Sequence, residues 1–534
     1  MSLPKLPLLD SVKHSQVDEV IWGHRLRQDQ SAWLLVLEML NVAQACLIAT
    51  DNDPLIDLGT NSEVNARPLL RIRFRNLLFR FNQKAAELSA QVESGRISNK
   101  VAWEKWLECV KSQYDQHGGA DYSPLKDRFD DFVEFERAID LVRSTTVVEP
   151  EHGREIYNRY IFPLCPEALY WETSSKAGGE FDRTYNSFTR AGTILHIMLS
   201  RSSEASRLRP LLSRFLNRDS RARRLVRQLQ IAEPSDPKHE ITTPRTYLPY
   251  ASHPRFDLLA GDFASIFELE VPDNDRLLWL VPLAAMHLSI YHAEVAAGEY
   301  LGVRIPVPLV CEILAPRKNI VRELSIESLK ENRDFARRAV DRHLADFFAS
   351  EDWQALLAKE ARGDRDAAVE GAKMLIAGRL SPQPSELETA AESMSLAKIA
   401  KSITEFFVGR HKREFSDVHF QYGREAGLVA LRGTNRYRYA PTDQLLASVV
   451  LANVVHEMQL EEFLAILYRR YGMVIGSSQR SELLISGDEE LAKRVSGEAF
   501  RNNQMRLESR LKSMGMLRRL SDSQAYVINP LQPK

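Results

Sequence analysis

The chemistry written most plainly in this chain is hydrogen bonding to a polyanion. Between Ala499 and Met514 run Arg501, Asn502, Asn503, Gln504, Arg506 and Arg510. Arg, Asn and Gln carry the paired donors and acceptors that fit purine edges in the major groove of DNA. Lys512, Arg518 and Arg519 follow and suit phosphate oxygens, which fix position without reading sequence. Glu498 and Glu508 dilute this basic face without abolishing it. A packing or dimerisation surface whose charged side is merely solvated fits the same residues, and both readings stand.

A second basic block lies between Arg201 and Gln230, where Arg201, Arg207, Arg209, Arg214, Arg218, Arg221, Arg223, Arg224 and Arg227 meet only Glu204 and Asp219 as acids. Guanidinium groups suit phosphate and planar partners, and binding of that kind weakens steeply as salt rises. Arg214, Arg218, Arg221 and Arg224 are the candidate contacts here. The competing reading pairs these arginines with acids elsewhere, such as Asp127, Asp130, Asp131, Glu134 and Glu136. A third stretch, Phe420 to Gly433, sets three glycines near Arg424 and Arg432 and leads to Arg436, Tyr437, Arg438 and Tyr439. Bare amides and arginines can cradle a phosphate; a β-hairpin packing the tail on the body is the favoured reading.

Catalytic signatures are missing. There is no glycine-rich loop ending in Lys-Ser or Lys-Thr and no Gly-x-Ser-x-Gly. His287 and His292, near Glu294, sit five apart, which on a helix separates them by about 140°, so one core and one surface histidine are expected. His411, His419 and His456 are dispersed. Cys46, Cys109, Cys165 and Cys311 have apolar neighbours and no short pairing, which suggests neither a disulfide frame nor a zinc site. No catalytic residue, metal ligand or cofactor is nominated, and the balance points away from an enzyme. A metal-dependent nuclease gathering carboxylates from distant elements is kept as an alternative.

The elements that must position these residues are helical. Pro441-Thr442-Asp443 reads as a helix start followed by Leu445, Leu446, Val449, Val450 and Val454 at helical spacing. A second helix fits Leu460 to Tyr471, with Arg469 and Arg470 in its last turn and Gly472 to end it. After a loop at Gly476-Ser477-Ser478 and a small helix from Asp488 to Val495, the last helix runs from Ala499 to Met514, with Phe500, Leu507, Leu511 and Met514 as its apolar stripe. Met516 to Leu520 and Ala525 to Ile528 then flank a polar turn and read as a two-stranded ribbon. Three helices and a ribbon make a winged-helix-like module, whose last helix would be the reader.

Upstream, Trp33 to Ile48 is apolar on most sides and belongs inside a larger body. Arg67, Arg71 and Arg75 would line one helix face, read as a solvated edge. Trp103, Trp106, Leu107 and Val110 form a core stripe. Ala232 to Pro254 reads as a linker or surface excursion, Leu277 to Val303 as a buried helix pair or helix-turn segment, and Val321 to Glu360, Ala367 to Leu380 and Glu386 to Phe407 as helices, with a proline-containing break at Ser381 to Ser385. The expected fold is mainly α and multidomain: an N-terminal helical domain (1–235), a proline-containing linker and central segment (236–320), a helical domain (321–420) and a winged-helix-like domain (421–534).

With 534 residues, 44% hydrophobic and 27% charged, the chain has an ordinary globular composition. A net charge of −1 excludes coating nucleic acid by bulk charge. The start lacks a signal-peptide core, and the most apolar run, Leu277 to Met286, is too short to span a bilayer. A cytoplasmic protein with no membrane partner is the expectation.

Three segments together, Val20 through Leu40, Tyr422 to Arg432 with the Thr442-Asp443-Gln444-Leu445-Leu446 helix start, and Arg506 to Pro530, resemble accessory proteins of prokaryotic antiviral defence gene clusters of the methylation-associated type. That resemblance implies a non-catalytic or cryptically catalytic subunit helping a larger complex engage foreign DNA, with the complex's other subunits as partners. A scaffold whose winged-helix module docks a protein partner is the alternative.

Overall fold

The computed structural model describes the chain apart from residues 1–2, 7–16, 25, 29, 51–52, 59–71, 115–120, 145, 149–158, 162–172, 176–180, 184–190, 232–245, 314–318, 381–393, 432–435, 481–496, 522–523 and 533–534. Its described residues are mainly α-helical. The N-terminal part opens with α1 (Val17–Trp22) and α2 (Ala32–Ala49). Ser31 caps α2 by accepting from the Trp33 amide, and the helix is apolar on nearly every side, so it is buried nearly all round. Next come α3 (Ile72–Phe79), α4 (Asn82–Glu93), α5 (Asn99–Tyr114) and α6 (Phe132–Ser144). These form a separate core in which Trp103 packs edge-on against Trp106 and Phe132. Two antiparallel ladders follow: β1 (Thr146–Val148) with β2 (Arg159–Ile161), and β3 (Thr173–Ser175) with β4 (Phe181–Arg183). Then α7 (Ala191–Ser200), α8 (Ala205–Asn217) and α9 (Arg221–Leu229) lead back, with Val226 and Leu229 of α9 completing the second core.

The main core is built on α10 (Pro254–Glu268) and above all α11 (Asp273–Val295). It is continuous from Val17 in the first helix to Val527 near the C-terminus. The segment 236–320, read from its prolines as a linker and central stretch, therefore supplies the helix on which the rest of the body packs; Pro282 lies inside α11 without ending it. Two helices, Ala32–Ala49 and the stretch Asp275–Tyr300, are long and apolar enough to cross a membrane by length and composition, and both are mostly or wholly buried within the protein.

Next come β5 (Leu309–Val310), the 29-residue α12 (Ile320–Phe348), α13 (Glu351–Ala361), α14 (Arg365–Arg379), α15 (Leu396–Glu414) and α16 (Val418–Glu425); α12 and α16 pack on α11, α15 on α12, and α13 and α14 on each other. The hairpin β6 (Val429–Ala430) with β7 (Arg438–Tyr439) leads to the C-terminal elements. These are α17 (Asp443–Asn453), β8 (Met458–Gln459), α18 (Leu460–Tyr471), β9 (Met473–Val474), α19 (Gly497–Ser513), β10 (Leu517–Ser521) and β11 (Gln524–Val527).

The expectation of one core and one surface histidine on α11 is corrected. His287 and His292 are both 1% exposed, because this helix has neighbours on every side. His287 Nε2 lies 2.8 Å from Asp262 Oδ2, and His292 stacks on Trp22 with centroids 4.3 Å apart. Arg67 and Arg71 lie outside the described residues, as do the small helix expected from Asp488 to Val495 and most of the stretch read as a linker from Ala232.

Candidate nucleic-acid interface

The C-terminal elements form where local chemistry directs them. Thr442 caps α17, its hydroxyl accepting from the Leu445 amide at 3.3 Å. The next helix, α18, spans Leu460–Tyr471 and stops at Gly472, whose φ of +74° is the left-handed conformation that closes a helix. A side chain there would also collide with the Val307 carbonyl. Residues 477–480 are helical where a loop was expected. β10 and β11 form the expected ribbon, with Arg518 opposite Tyr526, and β8 adds to its β11 edge with Gln459 opposite Tyr526. The result is three long helices, the short helical stretch at 477–480 and a three-stranded sheet ordered β10-β11-β8.

Helix α19 seats Phe500, Asn503, Leu507 and Leu511 inward. Its opposite face presents Arg501, Met505, Ser509 and Lys512 as exposed residues, flanked by half-buried Asn502 and Arg506. Arg501, Arg506 and Lys512 have no carboxylate partner among the described residues. The other candidates are engaged. Gln504 Nε2 donates to Glu461 at 3.2 Å, Arg510 Nε to Asp443 at 2.8 Å, Arg518 to Glu457 at 2.5 Å, and Arg519 Nε pairs with Glu508 at 2.8 Å. The Arg518 pair is solvent-facing, so it contributes little and can exchange for phosphate.

Asn503 departs from its place among the outward candidates: it is fully buried. Its Oδ1 accepts from the Ile313 amide at 2.7 Å, while Nδ2 donates to the carbonyls of Cys311 at 2.9 Å and Ile475 at 3.0 Å. The signal was present in the spacing, since a stripe through Phe500 and Leu507 passes through 503. This side chain ties α19 to the body just beyond the place where β5 pairs parallel with β9. Beside it lies a cluster that sequence reasoning missed. Glu312, fully buried, accepts from Arg322 Nε at 3.0 Å and from Arg438 Nε, and its amide donates to the Tyr439 carbonyl at 2.9 Å. Arg438 is itself 0% exposed, so the β6–β7 hairpin packs the tail on the body.

The arginine block divides. Arg201 binds Asp57 at 2.9 Å and the carbonyls of Leu248 and Tyr250; Arg207 binds Glu268 at 2.6 Å, and Arg209 binds Asp53 at 2.8 Å. These acids are not the ones expected from Asp127 to Glu136, which the sequence offered as partners. Arg218 meets Asp273 at 3.1 Å. Arg214, Arg221 and Arg224 are exposed and have no ion-pair partner among the described residues.

Sequence distance hid another grouping. His411 Nδ1 lies 2.6 Å from Asp18 Oδ1, and His419 Nε2 lies 2.6 Å from the Tyr439 hydroxyl. His292 feels the charge of both histidines after burial itself, which holds its pKa far below the ordinary value. Burial likewise pushes His287 and His419 down to about 4. Asp262 is pushed up by burial, yet the hydrogen bond from His287 and the charge of Arg470 leave it below the usual carboxylate range. His287 and His419, hydrogen-bonded in a sealed interior, position the helices that carry them. Among the described residues, no three His, Cys, Asp or Glu side chains are grouped to hold a metal ion, and the described cysteines Cys46, Cys109 and Cys311 are free thiols.

Comparison with curated proteins and with solved structures finds no match. Residues 320–534, less than half of the chain, match the family described as methylation-associated defense system protein MAD7. The matched region takes in α12, the Arg322 and Arg438 ends of the buried cluster, and all the C-terminal elements. That match supports what the sequence resembled, an accessory protein of a methylation-associated defence gene cluster.

Proposed function

We propose that this chain is a non-enzymatic, cytoplasmic, DNA-engaging subunit of a defence complex, and that its C-terminal elements are a winged helix with α19 as the contact helix. The reading is supported by the order helix, strand, helix, strand, helix, ribbon, in which β8 joins the ribbon and β9 pairs instead with β5. The observation that carries it is the outward face of α19. Arg501, Arg506 and Lys512 stand there without carboxylate partners among the described residues, while the inner stripe of the same helix is anchored in the core. Asn502 and Gln504 flank that face as base-edge candidates. Arg518 and Arg519 on the ribbon, with Arg510 at the helix end, supply phosphate contacts. Arg221 and Arg224 on α9 are a secondary basic surface.

Titration of labelled duplex DNA at two salt concentrations tests this. Each phosphate contact removed should flatten the salt dependence by about one unit in the log–log slope, so Arg501→Glu, Arg506→Glu and Lys512→Glu together should weaken binding and flatten the slope. These side chains are exposed or half-buried and unpaired, so the triple variant keeps the parent melting curve. Absence of binding at low salt, or binding indifferent to these changes, would overturn the reading.

A second reading is favoured by Met505 and Leu520, 51% and 57% exposed on α19 and the ribbon. Apolar side chains on that face suit a protein partner, making the module a scaffold. Met505→Asp and Leu520→Asp would then release a neighbouring subunit while leaving DNA affinity unchanged.

A further inference from the structure

Away from the C-terminal helix, a groove of about 890 Å³ opens between α8 and the turn that joins α10 to α11. Leu211 and Phe215 of α8 line one side, and Phe215 packs edge-on against Phe267 at 5.3 Å, so the lining is apolar and aromatic. Three guanidinium groups line it close to one another. Arg214 and Arg218 come from the end of α8 and Arg276 from the first turn of α11. The carboxylate of Asp273 accepts from both Arg218 and Arg276, and Arg214 has no carboxylate partner among the described residues.

Arg276 is only 8% exposed, and its Nε has no acceptor among the described residues, although its remaining nitrogens serve Asp273 and the Leu269 carbonyl. Burial lowers its pKa, Asp273 opposes this, and the charges of Arg218 and Arg214 lower it again. The three cations are therefore close enough to repel one another, with one acid between them. Like charges gathered beside apolar surface are stabilised when a further anion arrives.

Glu268 and Glu270 from the α10–α11 turn also line the groove. A continuous phosphodiester strand would meet those carboxylates.

We propose that this groove docks a segment of a partner protein in which carboxylates neighbour a large apolar side chain, the acids seated on Arg214 and Arg218, with Arg276 behind them, and the apolar group on Leu211 and Phe215. The site is independent of α19. DNA binding and peptide binding can therefore fail separately.

The test uses the full-length protein over immobilised synthetic peptides in which one phenylalanine is flanked by increasing numbers of glutamates, with lysine-flanked copies as controls. Retention should rise with glutamate content and fall about tenfold or more, a loss of about 1.4 kcal/mol, in Arg214→Glu and in the milder Arg214→Gln. Arg214→Glu with Arg218→Glu should instead retain the lysine-flanked peptides. The Arg501, Arg506 and Lys512 reversals should leave retention unchanged. Equal retention of glutamate and lysine peptides, no retention at all, or displacement of the peptide by a single-stranded oligonucleotide would overturn the proposal, the last by making the groove a nucleic-acid site.

Discussion

Arg438 and Arg501 are the same side chain in the same C-terminal stretch, and they live under opposite conditions. Arg438 is sealed from water, held by Glu312 beside Arg322, and belongs to the clamp that fixes the tail on the body. Arg501 stands in solvent with no carboxylate partner among the described residues. An ion buried without its partner costs several kcal/mol, so the interior arginine is committed and cannot serve a ligand. An exposed one pays almost nothing for being unpaired and is free to meet phosphate. Position relative to the core, more than residue type or local charge count, separates a structural cation from one left available to a ligand.

The sharpest way to break that contrast is Glu312→Ala. It removes the carboxylate shared by two buried guanidinium groups and should cost about 3–5 kcal/mol, read as a lowered urea midpoint for the C-terminal region. A change below about 1 kcal/mol would mean that water reaches the cluster and that it is not a clamp. Replacing Glu312 and Arg438 together by apolar residues should cost less than Glu312→Ala alone, because desolvation is relieved along with the attraction.

The interior histidines sharpen the comparison with pH. Burial first of all pushes His287 and His419 to about 4 and His253 to about 3. In the unfolded chain they titrate near 6.5. Because the folded value is the lower one, their contribution is fully present above about pH 6.5 and is lost as pH falls, when the unfolded chain takes up protons that the folded chain refuses. The slope is about 1.4 kcal/mol per pH unit for each histidine, or about 2 kcal/mol each by pH 5. Melting temperatures measured from pH 7.5 down to 5 should fall accordingly; a flat profile would contradict the sealed interior.

Much of this was legible in the residues. Thr442 and Gly472 are local signals, and they set the ends of α17 and α18 where the spacing put them. The apolar stripe Phe500, Leu507 and Leu511 fixed which side of α19 faces inward. What could not be read was long-range. Nothing near Glu312 in sequence announces Arg438, and Asp18 and His411 meet only because α1 and α15 both pack on the main core. The arginines of Arg201 to Arg227 looked alike as a run, yet Arg201 is nearly buried on Asp57 and Arg224 is exposed. Local composition could not sort them, because their partners come from a loop and helices far along the chain.

Asn502 and Asn503 give the smallest and cleanest version of the comparison, since they are adjacent and chemically identical. Asn503→Ala removes the acceptor of the Ile313 amide and the donor to two carbonyls, leaving buried backbone groups unpaired. It should cost about 1–2 kcal/mol, visible in the urea midpoint. Asn502→Ala, on the half-buried flank, should stay within about 0.5 kcal/mol. If DNA affinity is then measured for both, Asn502→Ala should lower it without touching stability. Asn503→Ala should lower it only to the extent that α19 loosens, an effect that shrinks as temperature is reduced below the transition. Equal stability losses in the two variants would mean that α19 is rotated from the orientation described, and the outward arginines would then lose their claim to the surface.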